Sequence, residues 1–278
     1  MAVYDINGYV IEGTYDATVK SVNHRGYSSI APENTLPAYI LSKKMGFNYV
    51  ETDVSFTKDG IPVLLHNATI NACARNMDGS VISSEDIPLS SLTFNEVRQY
   101  DFGIWKNRTY AGTLIPSLEE FIWLCKSIIL HPYIELKPND NYTQSQIEQI
   151  VDIVKKYGMR GKVTYISFTS DYLQYVKNAD PEARLGFLSN GYSSGTADIP
   201  ICTALKTTTN EVFYDVHRGR INQTMINNFS NADIPIEAWT INSVNEILNL
   251  NKYVSGITSD NKIAGKVLYD NYMSNNGG

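Results

Sequence analysis

Two histidines and two carboxylates stand where strand-like apolar runs end in the first quarter of the chain. His24 and His66 each close such a run, and Glu51 and Asp53 lie two residues apart in another. That spacing puts both carboxylates on the same face of a strand. Two such carboxylates repel each other and lose hydration, and a bound cation relieves both costs. The pattern predicts a metal site with two histidines beside it.

A third carboxylate and a lysine occur with the same spacing in a later strand-like run. Glu135 and Lys137 are two residues apart and share one face of their strand. Three carboxylates on adjacent strands suit Mg²⁺ or Ca²⁺ better than zinc, which prefers histidine and cysteine ligands. Histidines beside such a cation can accept and donate protons at neutral pH. The set suits phosphodiester cleavage, in which one histidine activates the nucleophile and the other protonates the leaving alkoxide.

Each of these residues also has a purely structural interpretation. His24 alone could be a core histidine, and Glu51 and Asp53 could be paired with a cation of the chain and bind no metal. Arg25 and Lys137 are the candidate partners, and Lys137 could instead contact a phosphate group. Because suitable groups stand at several separate strand ends, we favour the functional interpretation.

Strand-like and helix-like stretches alternate along most of the chain. Asp59-Gly60 is a hairpin signal, which predicts that residues 61–66 fold back antiparallel on the second strand. Residues 67–114 are polar and turn-rich and are predicted to form an insertion that acts as a lid or specificity element. Discounting the hairpin arm, the strands of parallel type are residues 20–24, 49–55, 132–136, 163–168, 184–188, 212–216, 236–241 and 256–258.

This count of eight strands predicts an α/β fold, a (β/α)8 TIM barrel with a β-hairpin arm and an insertion after the second barrel strand. A doubly wound open sheet is the competing architecture, but no glycine-rich dinucleotide loop follows the first strand. We expect residues 1–19 to form an N-terminal extension, residues 20–270 the barrel and residues 271–278 a flexible tail. The carboxyl ends of barrel strands meet on one face, which would bring the candidate residues together.

Composition and charge narrow the classes of partner. A net charge of −6 and a pI near 5.3 argue against nucleic-acid binding, which needs a basic face. The three cysteines have no paired or metal-type spacing and are predicted to be free thiols. No apolar run approaches the ~18 residues of a membrane span, and the first residues lack the apolar core of a signal peptide. We therefore expect a protein that is cytoplasmic on synthesis, and the sequence predicts no oligomeric state.

The candidate residues stand in a series of motifs that resembles the glycerophosphodiester phosphodiesterase family. The family opens with His-Arg-Gly and Pro-Glu-Asn-Thr and continues with Glu-x-Asp, Asp-Gly and a second histidine. The matching residues are His24-Arg25-Gly26, Pro32-Glu33-Asn34-Thr35, Glu51 and Asp53, Asp59-Gly60, and His66. Later matches are residues 92–96, 101–103, 111–120, 135–137, 239–242 and 256–260. The resemblance covers about residues 20–266, nearly the whole predicted barrel.

The resemblance implies a metal-dependent hydrolase that splits glycerol-based phosphodiesters into a phosphomonoester and an alcohol. The implied cofactor is a divalent cation, Mg²⁺ or Ca²⁺. By this resemblance the metal ligands would be Glu51, Asp53 and Glu135, the acid–base pair His24 and His66, the phosphate contacts Arg25 and Lys137, and the glycerol contact Trp239.

Two departures from the family pattern concern the substrate. Asn67 stands where the family usually has Asp after its second histidine, which keeps the hydrogen-bonding shape and loses the charge. Ala72 and Cys73 replace the usual Arg and Thr. These changes predict an altered specificity surface. Polymeric glycerol phosphate, the teichoic acid of Gram-positive walls, therefore joins small glycerophosphodiesters as a candidate substrate. Family modules of bacteriophage tails cleave such polymers, and a member of that kind would belong to the virion.

Two other functions stay open at this point. One is a lyase-type relative, resembling the sphingomyelinase D branch of phospholipase D enzymes, that releases a cyclic phosphate by internal attack. The cysteines offer no obvious disulfide in the loop after the second strand, which argues against it. The other is a non-catalytic module that binds glycerol-phosphate polymers. Intact His24 and His66 beside the carboxylates oppose this second alternative, since a bare binder has little need for them.

Overall fold

A closed barrel of parallel strands forms the centre of the protein. The computed structural model describes residues 3–4, 10–11, 19–138, 141–191 and 194–261. In chain order the strands are β1 (Val3–Tyr4), β2 (Val10–Ile11), β3 (Lys20–Asn23), β4 (Tyr49–Phe56), β5 (Pro62–Leu64), β6 (His131–Leu136), β7 (Thr164–Ser167), β8 (Arg184–Ser189), β9 (Val212–His217), β10 (Ile236–Trp239) and β11 (Gly256–Ser259). The helices are α1 (Leu36–Lys44), α2 (Phe94–Val97), α3 (Leu118–Ile128), α4 (Gln144–Lys156), α5 (Ser170–Ala179), α6 (Ile199–Leu205), α7 (Gln223–Asn231) and α8 (Val244–Leu250).

The barrel closes because β3 pairs in parallel with both β4 and β11. The remaining strands follow in the order β11-β10-β9-β8-β7-β6-β4, and all of these neighbours are parallel. This arrangement of eight strands with helices between them confirms the predicted (β/α)8 barrel. β5 pairs antiparallel with β4 after the Asp59-Gly60 turn, as the hairpin signal predicts. Within the N-terminal extension, β1 and β2 form a separate antiparallel pair.

Side chains on the barrel strands alternate between the barrel interior and the surrounding helices. Val50, Ile134 and Tyr214 belong to the large core shared with the helices. Val22 and Phe213 belong to a smaller cluster inside the barrel. Both faces are therefore dry, which explains why the strands read as nearly continuous apolar runs. A polar residue in such a run is consequently buried.

Helix α3 begins with a capping box. The Ser117 hydroxyl accepts from the Glu120 N–H at 3.2 Å, and Glu120 Oε2 accepts from the Ser117 N–H at 2.8 Å. The same arrangement begins α2 and α4. Helix α1 begins only at Leu36, after the Pro32-Glu33-Asn34-Thr35 motif, and α6 begins only at Ile199. Asn34 and Gly195 precede these helices with φ angles of 54° and 66°, which a right-handed helix cannot contain.

The insertion of residues 67–114 packs on a small core that it shares with the hairpin arm, and this core includes Ile70, Val97 and Phe102. Lys106 Nζ donates to the Ser28 carbonyl at 2.6 Å and joins the insertion to the loop after β3. The cysteines of the described region are free and buried, as predicted. None of the described helices is both long and apolar enough to cross a membrane. The predicted tail of residues 271–278 lies outside the described residues.

A buried ion pair holds the amino-terminal end of the barrel together. Arg184, at the start of β8, donates to Glu237 Oε1 on β10 at 2.7 Å and to the Tyr133 hydroxyl on β6 at 2.8 Å. Tyr133 in turn donates to Glu237 Oε2 at 3.1 Å. Lys20 Nζ lies 3.6 Å from Glu237, whose side chain is 2% exposed. Glu237 is therefore a buried carboxylate whose charge and hydrogen bonds are satisfied by Arg184, Tyr133 and Lys20.

We predict that Arg184→Ala lowers the free energy of unfolding by about 3 kcal/mol, because it leaves the Glu237 carboxylate buried with Lys20 as its nearest cation. Urea denaturation monitored by circular dichroism measures the change. The matched control is Arg98→Ala, which breaks a 2.8 Å pair with Glu120 whose side chains are 29% and 39% exposed. We expect the control to cost less than about 1 kcal/mol. Equal losses in the two variants would contradict the proposed role of burial.

Candidate active site

Three buried carboxylates meet inside the carboxyl-terminal half of the barrel. Glu51 and Asp53 point inward from β4, and Glu135, which pairs in register with Asp53, points inward from β6. One oxygen from each residue lies within 4.8 Å of the other two. Glu51 Oε1, Asp53 Oδ1 and Glu135 Oε1 have no hydrogen-bond donor among the residues that the structure describes. The same-face spacing of the sequence thus produces the predicted cluster.

Two cations of the chain pair with this cluster, as the structural interpretation of the sequence anticipated. Lys137 Nζ lies 3.2 Å from Asp53 Oδ1 and 3.3 Å from Glu135 Oε1, and Arg25 Nε lies 3.3 Å from Asp53 Oδ2. Arg25 also pairs with Glu33 at 2.9 Å, so its charge is shared. Three carboxylates thus face two cations. Lys137 lies beside the Asp53 and Glu135 oxygens, whereas Glu51 Oε1 has neither a hydrogen-bond donor nor a cation partner among the described residues. An oxygen-binding divalent cation fits this surplus of negative charge.

The electrostatics of the three carboxylates differ. Burial raises the pKa of Glu51 to about 8, and the Asp53 charge adds to the rise. Burial likewise raises the pKa of Glu135 to about 7, with Asp53 again contributing. For Asp53, burial alone would raise the pKa, but Arg25 and Lys137 outweigh it and hold the pKa at about 2. Asp53 is therefore the anion around which the cluster is built, and the other two carboxyls ionise fully only with more positive charge nearby.

His24 follows β3 directly and is tied to the end of β11. Its Nδ1 lies 2.6 Å from Asp260 Oδ1, and its Nε2 lies 3.9 Å from Glu51 Oε2. Asn242 donates to the other Asp260 oxygen at 2.6 Å and fixes that carboxylate. Burial lowers the pKa of His24, but the Asp260 hydrogen bond and the Glu51 charge outweigh it, so the pKa lies above its ordinary value. The surroundings of His24 favour its protonated form.

His66 stands at the end of the hairpin arm and has a different partner. Its Nδ1 lies 2.8 Å from Asn67 Oδ1. The amide oxygen is an acceptor, so Nδ1 carries the proton and the neutral ring leaves Nε2 as an acceptor. Burial lowers the pKa of His66 below its ordinary value. The surroundings of His66 therefore favour the neutral form, in contrast to His24.

A tight turn after β3 brings backbone and side-chain groups to the carboxylates. Arg25 has a φ of 54°, and its N–H donates to Glu51 Oε2 at 2.9 Å. Gly26 follows with a φ of 77°, and a Cβ there would lie 2.8 Å from the Cβ of Ala38. Asn34 Nδ2 donates to Asp53 Oδ2 at 2.9 Å. The His-Arg-Gly and Pro-Glu-Asn-Thr motifs thus form a support for the acidic cluster.

A cavity of about 310 Å³ opens over the cluster. Its charged half contains both histidines and the basic and acidic residues described above, and its other half is mainly apolar. The second half is lined by Ile166, Phe168, Leu188, Asp215, Trp239, Thr240 and Thr258. The Trp239 ring packs edge-on against Phe168, with 5.6 Å between centroids. All predicted site residues line this cavity except Asp53, which lies fully buried behind Arg25 and Lys137.

Comparison with known proteins identifies the family. The model of the glycerophosphoryl diester phosphodiesterase family matches residues 24–263. The chain belongs to this family.

A glycerophosphodiester phosphodiesterase of Caldanaerobacter subterraneus is 30% identical over 167 residues, which are 60% of this chain and 65% of that relative, just under two thirds of its length. Among solved structures, a phosphodiesterase of Oleispira antarctica in complex with the product sn-glycerol-3-phosphate superposes with a TM-score of 0.79. Its sequence is 25% identical, and the match covers 90% of this chain and 96% of that one. The fold is also that of a glycerophosphodiester phosphodiesterase from Agrobacterium tumefaciens, with a TM-score of 0.70 at 21% identity, covering 89% of this chain and 99% of that chain.

Members of the glycerophosphoryl diester phosphodiesterase family hydrolyse glycerophosphodiesters. The residues of this chain that depart from the family pattern lie in and near the insertion. Asn67 is the ring partner of His66. Cys73 is buried in the core of the insertion. Arg75 donates to the carbonyls of Asn71 and Ala74 within the insertion and is not among the residues that line the cavity. Arg75 therefore does not bring its charge to the cavity wall.

Sequence reasoning gave no role to three residues that the structure places at the site. Asp260 holds His24, and Asn34 holds Asp53. Both residues belong to motifs that match the family, but the sequence did not show which side chains they contact. Asp215 lines the cavity from β9, and in the sequence it belongs to none of the matched motifs and has no second carboxylate two residues away.

We predict that Mg²⁺ or Ca²⁺ raises the melting temperature of the metal-free protein and that Glu51→Gln removes most of this rise. A cation at a hundred times its Kd stabilises the protein that binds it by about 2.7 kcal/mol. Thermal unfolding with each ion and with EDTA, together with calorimetric titration of the ion, measures both effects. The control is Glu119→Gln, an exposed carboxylate paired with Lys156 outside the barrel. Ion-induced stabilisation of equal size in the Glu51→Gln variant would contradict the assigned site.

Proposed function

We propose that this protein hydrolyses glycerophosphodiesters to glycerol phosphate and an alcohol, with a divalent cation held by Glu51, Asp53 and Glu135. The observation that carries the proposal is the convergence of three buried carboxylates, whose oxygens lie within 4.8 Å of one another, beside a cavity lined by two histidines of opposite character. The product-bound relative from Oleispira antarctica, which shares the fold over nearly its whole length, supports the choice of substrate.

The charged half of the cavity suits a phosphodiester. A bound Mg²⁺ or Ca²⁺ would neutralise phosphoryl oxygens and so make the phosphorus a better electrophile. Lys137 and Arg25 line the same cavity, and their charges face the carboxylates from two sides. Both side chains are placed to contact the phosphate once part of the acidic charge is taken up by the cation. The apolar half, with Trp239 and Phe168, suits the carbon atoms of glycerol.

The two histidines divide the proton transfers according to their ring partners. His66 presents Nε2 as an acceptor, because its Nδ1 proton is held by Asn67, and we assign it as the base that takes a proton from the attacking water. The contact with Asp260 favours the protonated form of His24, and we assign this histidine as the acid. The water oxygen bonds to phosphorus, the bond to the leaving oxygen breaks, and the His24 proton passes to that oxygen. The histidines exchange protonation states over one turnover.

A polymeric substrate is the second candidate, and a second cavity favours it. This cavity, of about 500 Å³, shares His24 and Arg25 with the first, and its other lining residues include Ser28, Glu33, Asn242 and Asp260. A chain of glycerol-phosphate units could occupy both cavities and gain binding energy away from the reacting bond. The protein would then act on wall polymers, as a phage-tail module would. With a small substrate it would instead act in phospholipid head-group turnover in the cytoplasm.

We predict hydrolysis of glycerophosphocholine and glycerophosphoethanolamine by the purified protein in Mg²⁺ or Ca²⁺, and its loss in EDTA. His24→Ala and His66→Ala should each lower kcat by at least about 10²-fold, since each removes a proton-transfer group. Both variants should melt near the wild-type temperature. Polyglycerol phosphate, assayed at the same salt and metal concentrations, shows by its kcat/KM which substrate class is preferred.

His131→Gln is the matched control for the histidine variants, because His131 begins β6 at the opposite end of the barrel and does not line the cavity. It should retain wild-type kcat. Full activity in EDTA, or in either alanine variant, would refute the mechanism. A cyclic phosphate as the final product would favour the lyase alternative, and binding of the polymer without turnover would favour the non-catalytic module.

We predict that Asn67→Asp moves the acidic limb of the kcat/KM profile to higher pH by about one unit. A carboxylate beside Nδ1 favours the imidazolium and raises the pKa of His66, so the base becomes neutral at a higher pH. The pH dependence of kcat/KM for glycerophosphocholine measures the shift. Asn178→Asp adds the same charge to an exposed position of α5 and should leave the limb in place. An unchanged or lowered limb in the Asn67→Asp variant would contradict the assignment of His66 as the base.

A further inference from the structure

One buried acid at the cavity lies outside the acidic cluster and has no part in the proton transfers. Asp215 points into the barrel from β9, beside Leu188 of β8 and Glu237 of β10 in the strand register. It is 1% exposed and lines the cavity floor. Its Oδ1 has no hydrogen-bond donor among the described residues. It is not one of the residues that could share a metal ion in the described region.

A carboxyl in this position is unfavourable for the fold alone. An unpartnered buried polar group costs about 1–3 kcal/mol, and an apolar residue of similar size would fill the space without that cost. Phe213 on the same strand and Ile166 on β7 are such apolar residues and pack the barrel interior. A residue that breaks the packing pattern without a compensating partner is expected at a functional site. The missing partner of Asp215 therefore belongs to the cavity.

The surroundings of Asp215 define the chemistry of that partner. Ile166, Leu188 and Phe168 give this half of the cavity an apolar wall, whereas the charged groups stand on the other side. Trp239 Nε1 donates to the Asp215 backbone carbonyl at 3.2 Å and keeps the indole beside it. Burial raises the pKa of Asp215 well above its ordinary value, and the Glu237 charge adds to the rise. A neutral carboxyl can both donate and accept a hydrogen bond, as a substrate hydroxyl does.

We propose that Asp215 binds a glycerol hydroxyl of the substrate and is the residue that selects glycerol over alcohols that lack this hydroxyl. The inference rests on the proposed function, because it places the phosphate on the charged side and the glycerol on the apolar side of one cavity. A site built around a hydroxyl rejects the analogue without it, since a buried polar group is then left unpaired. Asp215 thus sets specificity and takes no part in proton transfer.

The first test uses the wild-type protein and three phosphocholine esters. Glycerophosphocholine is compared with the 3-hydroxypropyl ester, which lacks the secondary hydroxyl, and with the 2-hydroxypropyl ester, which lacks the terminal one. The proposal expects kcat/KM for at least one analogue to fall by about 30-fold or more. Equal kcat/KM for all three esters would overturn it, and this result needs no variant protein.

The second test asks whether the discrimination depends on Asp215. In Asp215→Leu the ratio of kcat/KM between glycerophosphocholine and the discriminated analogue should fall towards one. Asp215→Asn, which keeps a donor and an acceptor, should preserve most of the ratio. Neither variant should melt below the wild type, since the buried carboxyl lacks a partner in the fold. A wild-type ratio in the leucine variant, or a large loss of stability in both variants, would overturn the proposal.

Binding separates this inference from the proposed function. If the wild type hydrolyses none of the esters, the proposed function fails, and calorimetry with sn-glycerol 3-phosphate and 3-hydroxypropyl and 2-hydroxypropyl phosphates then tests Asp215 by itself. The inference holds if the wild type prefers glycerol phosphate to one of these analogues by about tenfold or more and Asp215→Asn retains that preference while Asp215→Leu loses it. It fails if the preference is absent or survives in the leucine variant.

Discussion

The burial of three carboxylates inside one barrel is the constraint on which the catalytic face depends. Asp53 is fully buried, and its negative charge raises the pKa of both Glu51 and Glu135. Such a cluster persists only if other groups hold it, because like charges in a dry interior repel strongly. Arg25 and Lys137 supply the positive charge, and the turn after β3 exists in the form that lets Arg25 reach inward. The positive φ angle of Arg25 thus belongs to the turn that brings its guanidinium to the buried Asp53 carboxylate.

The two ends of the barrel treat buried charge in different ways. At the amino-terminal end Glu237 receives bonds from Arg184 and Tyr133 and lies near Lys20, so its charge and hydrogen bonds are met within the chain. At the carboxyl-terminal end one lysine, Lys137, serves oxygens of both Asp53 and Glu135, and Glu51 Oε1 has neither a hydrogen-bond donor nor a cation partner in the described structure. The first arrangement stabilises the fold, and the second leaves coordination capacity for a ligand. A structural ion pair thus differs from a binding site in whether other residues of the chain satisfy the charge and hydrogen bonds of the buried carboxylate.

The sequence predicted the barrel and much of the site for reasons that are local. Glu51 and Asp53 share a face because of the strand period, and the Asp59-Gly60 turn reverses the chain within a few residues. The partners of these residues were not predictable in the same way. His24 and Asp260 are 236 residues apart, and only the closure of β3 on β11 brings them together. Asp215 reads as an ordinary polar residue of a strand, because the direction of its side chain depends on the register of the whole barrel.

Because Asn67 replaces the usual Asp, the ring of His66 contacts an uncharged amide, whereas the ring of His24 contacts the Asp260 carboxylate. A carboxylate at both rings would stabilise both imidazolium ions, and the base would then be protonated over much of the neutral range. With Asp260 at one ring and an amide at the other, the pKa of His24 lies above its ordinary value and the pKa of His66, which burial lowers, lies below it. Under the proposed roles of acid and base, one histidine can donate and the other accept a proton at the same pH. The departure from the family pattern then adjusts the relative acidity of the two histidines and leaves both in place.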